Sequence, residues 1–300
     1  MSTYDIAIVG GGPAGLSAAL TAHARGKRAV VISNDFHDSP LAKSKLIENY
    51  PGLPKISGQH LLEVMHKQAL EVGTAFVKAR VLNVLPMGDH FTVTTANEEV
   101  DALTIILATG LVAGKKFDGE EQFLGHGVSY CATCDGMLYR GKDVVVVGLN
   151  TEAPAEANFL ASIGCHVTYL AKPNSRQVVE DSVRLVHGTV QEIDGDKYGT
   201  TQVIFKSSAE EGYLHEGEAG TLLAKGVFIL RPQIAPDSLL PGVELDGKLL
   251  KVDSGMSTSV KGVFAAGDCV AEPAQIAKAV GEGQLAAWNA SRYIDNLAIA

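Results

Sequence analysis

Cys131 and Cys134 have two residues between them in the segment Gly127-Val128-Ser129-Tyr130-Cys131-Ala132-Thr133-Cys134-Asp135-Gly136. That spacing permits a disulfide across one helical turn, and a helix N-terminus beneath it would favour the thiolate. Asp135 adjoins the pair and is placed to carry the proton that dithiol chemistry requires; its plainer reading is a helix-cap carboxylate. Zinc is the competing use of two such cysteines. A structural zinc site takes four ligands, commonly as two close pairs. The other two of the four cysteines, Cys165 and Cys269, are far apart, and His126 alone does not complete a set. Redox chemistry is therefore expected and a metal is not. Cys165 and Cys269 read as buried core thiols.

A second chemical signal is Gly10-x-Gly12-x-x-Gly15, with Pro13 and Ala14 between its last two glycines. Gly10 permits a tight turn, Gly12 lets the backbone approach a pyrophosphate, and Gly15 lets helix and strand pack closely. Phosphates then meet the helix N-terminus. The elements that must position this motif are legible around it: the apolar strand Tyr4–Val9 before it, an alanine-rich helix after it, and a β-branched strand Ala29–Ile32 ending at Ser33 and Asn34. The same rhythm recurs at Asp143–Val147, Gly148-Leu149-Asn150-Thr151-Glu152-Ala153 and His166–Leu170. Two strand–turn–helix–strand units imply an α/β chain with two Rossmann-like dinucleotide-binding domains.

The second unit reads as inserted into the first. Ile105–Gly110 is a buried strand ending in a glycine turn, and Gly262–Asp268 followed by a helix around Gln275–Tyr293 reads likewise. Both complete the first domain better than the second. The expected division is 1–112 with 242–300 for the first domain and 113–241 for the inserted one, with hinges near Val112 and Gly242.

At 300 residues the chain can hold two cores. A net charge of −9 argues against a nucleic-acid partner, which would need a basic stripe. No apolar run approaches the ~20 residues of a membrane span. Met1-Ser2-Thr3 leads straight into a strand without a basic stretch, so the expected location is the cytoplasm.

Ala108-Thr109-Gly110 and Ala266-Gly267-Asp268 resemble the two further FAD signatures of the pyridine-nucleotide–disulfide oxidoreductases, and Cys131-Ala132-Thr133-Cys134-Asp135-Gly136 resembles the active site of bacterial-type thioredoxin reductases. The resemblance covers essentially the whole chain. It implies the three-layer ββα version of the fold, FAD as cofactor and a homodimer. It places Asp268 on the ribitol chain and Gln275 and Ile276 at the flavin. It also implies that Cys134 faces the flavin, that Cys131 is the outer sulfur, and that the inserted domain swings at its hinges.

Two departures alter that expectation. In the inserted domain Asn150 replaces the middle glycine of an NADPH fingerprint, Ala171-Lys172-Pro173 holds the place of an arginine cluster, and Val227–Leu230 runs into Arg231-Pro232 where the family carries a glycine. One lysine does not replace bidentate arginines on a 2′-phosphate. In the first domain a Gly-Gly-Gln loop is missing; Ser33-Asn34 and Ser39–Asn49, with Lys45 and Asn49 as candidate FAD contacts, stand instead. This combination resembles the ferredoxin-dependent flavin thioredoxin reductases. Reduced ferredoxin is thus the expected electron donor and thioredoxin the expected substrate. The alternatives are a reductase using NAD(P)H or deazaflavin, a dithiol oxidase, and a non-catalytic flavin redox sensor.

Overall fold

The computed structural model describes residues 3–34, 39–96, 98–111, 116–172, 178–208, 215–231 and 236–297. The chain begins with β1 (Tyr4–Val9), α1 (Pro13–Ala24), β2 (Ala29–Ser33), α2 (Gly58–Glu71), β3 (Ala75–Lys78), β4 (Val81–Pro86), β5 (Phe91–Thr95) and β6 (Glu99–Leu107). There follow α3 (Glu120–Phe123), β7 (Val128–Ser129), α4 (Ala132–Asp135), a 3-10 turn over Gly136–Tyr139, β8 (Asp143–Gly148), α5 (Ala153–Ser162), β9 (His166–Ala171), β10 (Arg184–Asp196), β11 (Gly199–Ser207), β12 (Ala219–Leu223) and β13 (Gly226–Leu230). The last part holds α6 (Pro236–Leu239), β14 (Leu245–Asp246), β15 (Leu249–Leu250), β16 (Val263–Ala265) and the long α7 (Ile276–Leu297).

These elements form two compact units, Met1–Val112 with Gln233–Ala300, and Ala113–Pro232. The second crossing precedes the expected Gly242 because α6 packs on β4 of the first unit, with Leu239 and Leu240 buried. The expected hinge at Val112 lies outside the described residues, as does Pro173 of the degenerate cluster.

In the first unit the sheet runs β3-β2-β1-β6-β5-β4, with β16 also on β6. The long strand β6 serves two layers. Its first half pairs antiparallel with β5 through Val100 and Ala102, and its second half pairs parallel with β16 through Ile105–Leu107. The parallel part is apolar on both faces, as a strand covered on both sides must be. On one face α1 and α7 lie against each other through small residues: Ala14, Ala18 and Ala22 from α1, and Ala279, Ala286 and Ala290 from α7. Contact is so close that a Cβ on Gly283 would sit 2.0 Å from the Ala14 carbonyl oxygen. This packing fixes the start of α1 beside the start of α7.

The second unit repeats the plan. Its sheet order is β12-β11-β10-β9-β8-β13-β7, parallel from β10 to β7 and antiparallel from β10 to β12. Side chains alternate between two cores, as the strand period dictates. Val144, Val146, Tyr169 and Phe228 pack with Ala153, Ala157 and Leu160 of α5. Val145, Val147, Val227 and Ile229 pack with Ile193, Val203 and Phe205 of the antiparallel strands. Helix, parallel sheet and antiparallel layer give the three-layer form in both units. Among the described residues no helix is long and apolar enough to cross a membrane.

Candidate active site

Strand β7 lies at the edge of the second sheet, pairing with β13 through Val128–Val227 and Ser129–Phe228. It delivers the chain directly into the redox turn. Cys131 and Cys134 form a disulfide with Cα atoms 5.4 Å apart. Cys131 is the N-cap of α4, and its sulfur accepts the Cys134 amide proton at 3.1 Å. The next amide, that of Ala132, donates to Glu156 Oε2 of α5 at 3.3 Å. Behind the turn, Gly136 lies so near α5 that a Cβ there would be 2.7 Å from Leu160 Cδ2.

Ser129 organises this turn. Its buried hydroxyl accepts the Cys131 amide proton at 3.0 Å and stands 2.7 Å from Asp135 Oδ2, to which it donates. One oxygen therefore ties the first sulfur's backbone to the neighbouring acid. Sequence reasoning missed Ser129 and Glu156; neither departs from an ordinary surface composition. The two sulfurs differ in access. Cys131 is buried at 7% exposure, while Cys134 is exposed. Cys131 is held at the end of β7, and Cys134 follows in the single turn of α4. Met137 and Leu138, at 59% and 68% exposure, put an apolar surface directly after the turn.

Cys165 and Cys269 are free buried thiols. Cys165 donates to the Tyr139 carbonyl at 3.3 Å beneath the redox turn, and Cys269 to the Ala266 carbonyl at 3.3 Å. Burial pushes both thiols up, so neither is set up as a nucleophile.

The first unit gathers its candidate cofactor residues at the ends of β1, β2, β6 and β16. Gly10 has φ +118°, and a Cβ on it would lie 2.3 Å from the Ala108 carbonyl oxygen. A Cβ on Gly15 would lie 1.9 Å from the Gly10 carbonyl oxygen. Over Gly12, by contrast, the space is open: nothing stands within 4 Å of such a Cβ. Gly12 caps α1 without a side-chain acceptor and Pro13 follows it, so the helix start presents backbone to a ligand. Ser33 borders Gly11, and Asn34 follows it. Thr109 is buried, and Gly110 turns at φ +68°.

At the start of α7, Gln275 Oε1 accepts from Asn49 Nδ2 at 3.0 Å, which joins the loop after β2 to the helix that opens at Ile276. Lys45 is exposed on that loop. Gly267 has φ +90° and donates its amide proton to Glu282 at 2.9 Å, while Lys278 Nζ donates to the Gly267 carbonyl at 3.0 Å. Glu282 and Lys278 are supporting residues that sequence reasoning did not find. Between them Asp268 Oδ1 is buried with no hydrogen-bond partner, which fits an acceptor awaiting a hydroxyl-bearing ligand. The cradle at Gly12 and the orphaned Asp268 oxygen together fit a dinucleotide such as FAD.

The family model for pyridine nucleotide-disulphide oxidoreductases matches residues 4–283. This chain belongs to that family. It is 35% identical to a thioredoxin reductase of Treponema pallidum over 98% of both chains. Among solved structures, a ferredoxin-flavin thioredoxin reductase of Clostridium acetobutylicum matches over 100% of both chains, with 34% identity and a TM-score of 0.89. A thioredoxin reductase of Gloeobacter violaceus matches 98% of this chain and 95% of its own, with 34% identity and a TM-score of 0.85. As a member of the thioredoxin reductase branch, this oxidoreductase is an FAD flavoprotein and a disulfide oxidoreductase.

In this disulphide oxidoreductase the second glycine-turn cradle is filled by its own chain. Asn150 is 5% exposed, and its Oδ1 accepts the amide protons of Glu152 at 3.0 Å and Ala153 at 2.7 Å. Those are the donors a bound phosphate would use at the start of α5. Asn150 Nδ2 donates to the Arg231 carbonyl at 3.2 Å. Beside it the Tyr169 phenol presses on Gly148, where a Cβ would lie 1.8 Å from its oxygen. Lys172 is exposed.

Proposed function

We propose that this chain is a thioredoxin reductase whose Cys131–Cys134 disulfide is reduced through FAD by ferredoxin and passes the electrons to thioredoxin. The observation that carries the choice of donor is the Asn150 carboxamide bound to the amides of Glu152 and Ala153, in place of a nucleotide phosphate. The resemblance to the Clostridium acetobutylicum ferredoxin-flavin thioredoxin reductase supports the same reading.

Gly10, Gly12, Pro13, Ala14 and Gly15 would hold the FAD pyrophosphate, Ser33, Asn34 and Lys45 the adenosine side, and Asn49, Ala108, Thr109, Gly110, Gly267, Asp268, Gln275 and Ile276 the flavin side. FAD supplies a centre that takes electrons singly and releases them in pairs. The gap between low-potential ferredoxins near −400 mV and thioredoxin near −270 mV is roughly 130 mV, or about 6 kcal/mol downhill for two electrons.

The protein's own part is at the redox turn. The disulfide accepts two electrons and two protons and opens to a dithiol. Asp135, held by the Ser129 hydroxyl at 2.7 Å, carries a proton to and from the sulfurs. One thiolate then attacks the thioredoxin disulfide, forming a mixed disulfide and releasing one thioredoxin thiolate. The second cysteine resolves that mixed disulfide and restores Cys131–Cys134. The apolar pair Met137 and Leu138 beside exposed Cys134 suits a protein substrate better than a small one.

The experiment is an anaerobic titration of the yellow protein with NADPH, NADH or pre-reduced ferredoxin, followed at the flavin absorbance. Bleaching by ferredoxin, with oxidised thioredoxin restoring the colour, is the expected result. Rapid bleaching by NADPH would overturn the donor assignment.

A further inference from the structure

Arg231 follows four buried apolar residues, Val227–Leu230, at a place where a charge needs a partner. The partner is Glu120, fully buried, whose carboxylate receives four hydrogen bonds. Arg231 Nη1 donates to Oε1 at 2.5 Å and Nη2 to Oε2 at 2.8 Å. The Tyr130 hydroxyl donates to Oε1 at 2.9 Å, and the Phe117 amide to Oε2 at 2.8 Å. A carboxylate has about four lone-pair sites, so its acceptor capacity is filled. Arg231 also stacks over Phe117, 5.0 Å from the ring centroid.

This network joins two places that the proposed chemistry leaves separate. At one end the Arg231 carbonyl is held by Asn150, the residue that fills the second cradle. At the other, Tyr130 immediately precedes Cys131. Burial and the neighbouring Glu120 push the Tyr130 phenol well above its usual range, so it remains a hydrogen-bond donor. Fully satisfied buried networks are rigid, whereas removing one partner from a buried ion pair is strongly destabilising.

We propose that Glu120, Arg231 and Tyr130 are positioning residues that hold Cys131 as the stationary sulfur of the redox pair. The turn at Asn150 thereby serves as an anchor for the redox turn. The inference concerns the cysteines alone and does not depend on which donor reduces the flavin.

The test uses the full-length FAD-loaded protein, reduced with dithiothreitol under anaerobic conditions and labelled with iodoacetamide. Mass spectrometry of the peptides gives a rate for each cysteine. In the wild type Cys131 is expected to be labelled slowly, because it is buried at the end of β7. Tyr130→Phe removes one hydrogen bond and leaves the ion pair. It should raise Cys131 labelling about tenfold, the scale of one charge-assisted hydrogen bond, with the Cys134 rate unchanged. Arg231→Lys keeps the charge but loses the two-pronged contact, and should move the same ratio in the same direction. It also provides the ratio if Tyr130→Phe fails to fold. A parallel rise at both cysteines would mean general loosening, and an unchanged ratio would mean no coupling; either result overturns the proposal.

Discussion

Asn150 Oδ1 accepts the Ala153 amide proton at 2.7 Å, so the first turn of α5 is closed by a side chain of the same chain. The corresponding place on α1 is Gly12, which has no side chain and no cap. The two glycine turns start from the same strand–turn–helix plan and end in opposite states. One is open for a ligand and the other is satisfied internally. A helix start needs acceptors for its first amides, and a carboxamide supplies them at no cost in charge.

Asn150→Ala should therefore lower the stability of the protein by about 1 kcal/mol, the usual value of a side chain that accepts the amides opening a helix. It should not create a response to NADPH, because the arginine cluster for a 2′-phosphate is still missing. Denaturant unfolding and flavin absorbance with NADPH check the two halves of this statement. A variant as stable as the wild type would show that the cap bears no load.

Cys131→Ser and Cys134→Ser should each abolish thioredoxin reduction and leave the flavin bound. Neither residue belongs to the unit that carries the glycine cradle. Flavin-to-protein absorbance ratios and insulin-coupled thioredoxin assays provide the comparison. Substantial turnover in either variant would remove the disulfide from the mechanism.

Ser129→Ala should slow reduction of thioredoxin about tenfold, since a hydrogen bond to a charged group is worth about 1.5–3 kcal/mol. The loss should fall on kcat, because Ser129 is buried and makes no contact a partner could replace. Ser129→Thr keeps the hydroxyl and should recover part of the rate. Equal rates in the Ala and Thr variants would show that the hydroxyl does not align Asp135.

Burial raises the carboxyl pKa of Asp268, with Lys278 opposing and Glu282 reinforcing the shift. The native state then holds this proton more tightly than the unfolded chain does. Stability from Asp268 is fully present below the unfolded value of about 4 and is lost as pH rises through the raised native one. In the FAD-free protein Asp268→Asn should flatten the fall in Tm across that window and should bind FAD more weakly. A steeper fall in the variant would give the opposite sign and rule the account out.

The glycine turns, the redox pair and the repeated strand–turn–helix order were legible in the sequence because each is written within a few residues. Gly10 and Gly15 are required where backbone meets backbone, and Cys131 and Cys134 are one turn apart in any helical start. The loss of the middle glycine at Asn150 was equally visible. What replaced it was not. Arg231 and Glu120 are 111 residues apart, Asn150 and Arg231 are 81 apart, and no periodicity links them. Their hydrogen bonds exist only because β13 lies beside β8 and β7. Local spacing determines which groups can do chemistry; burial and hydrogen-bond partners, which fix what each group does, are decided when distant strands come together and exclude water.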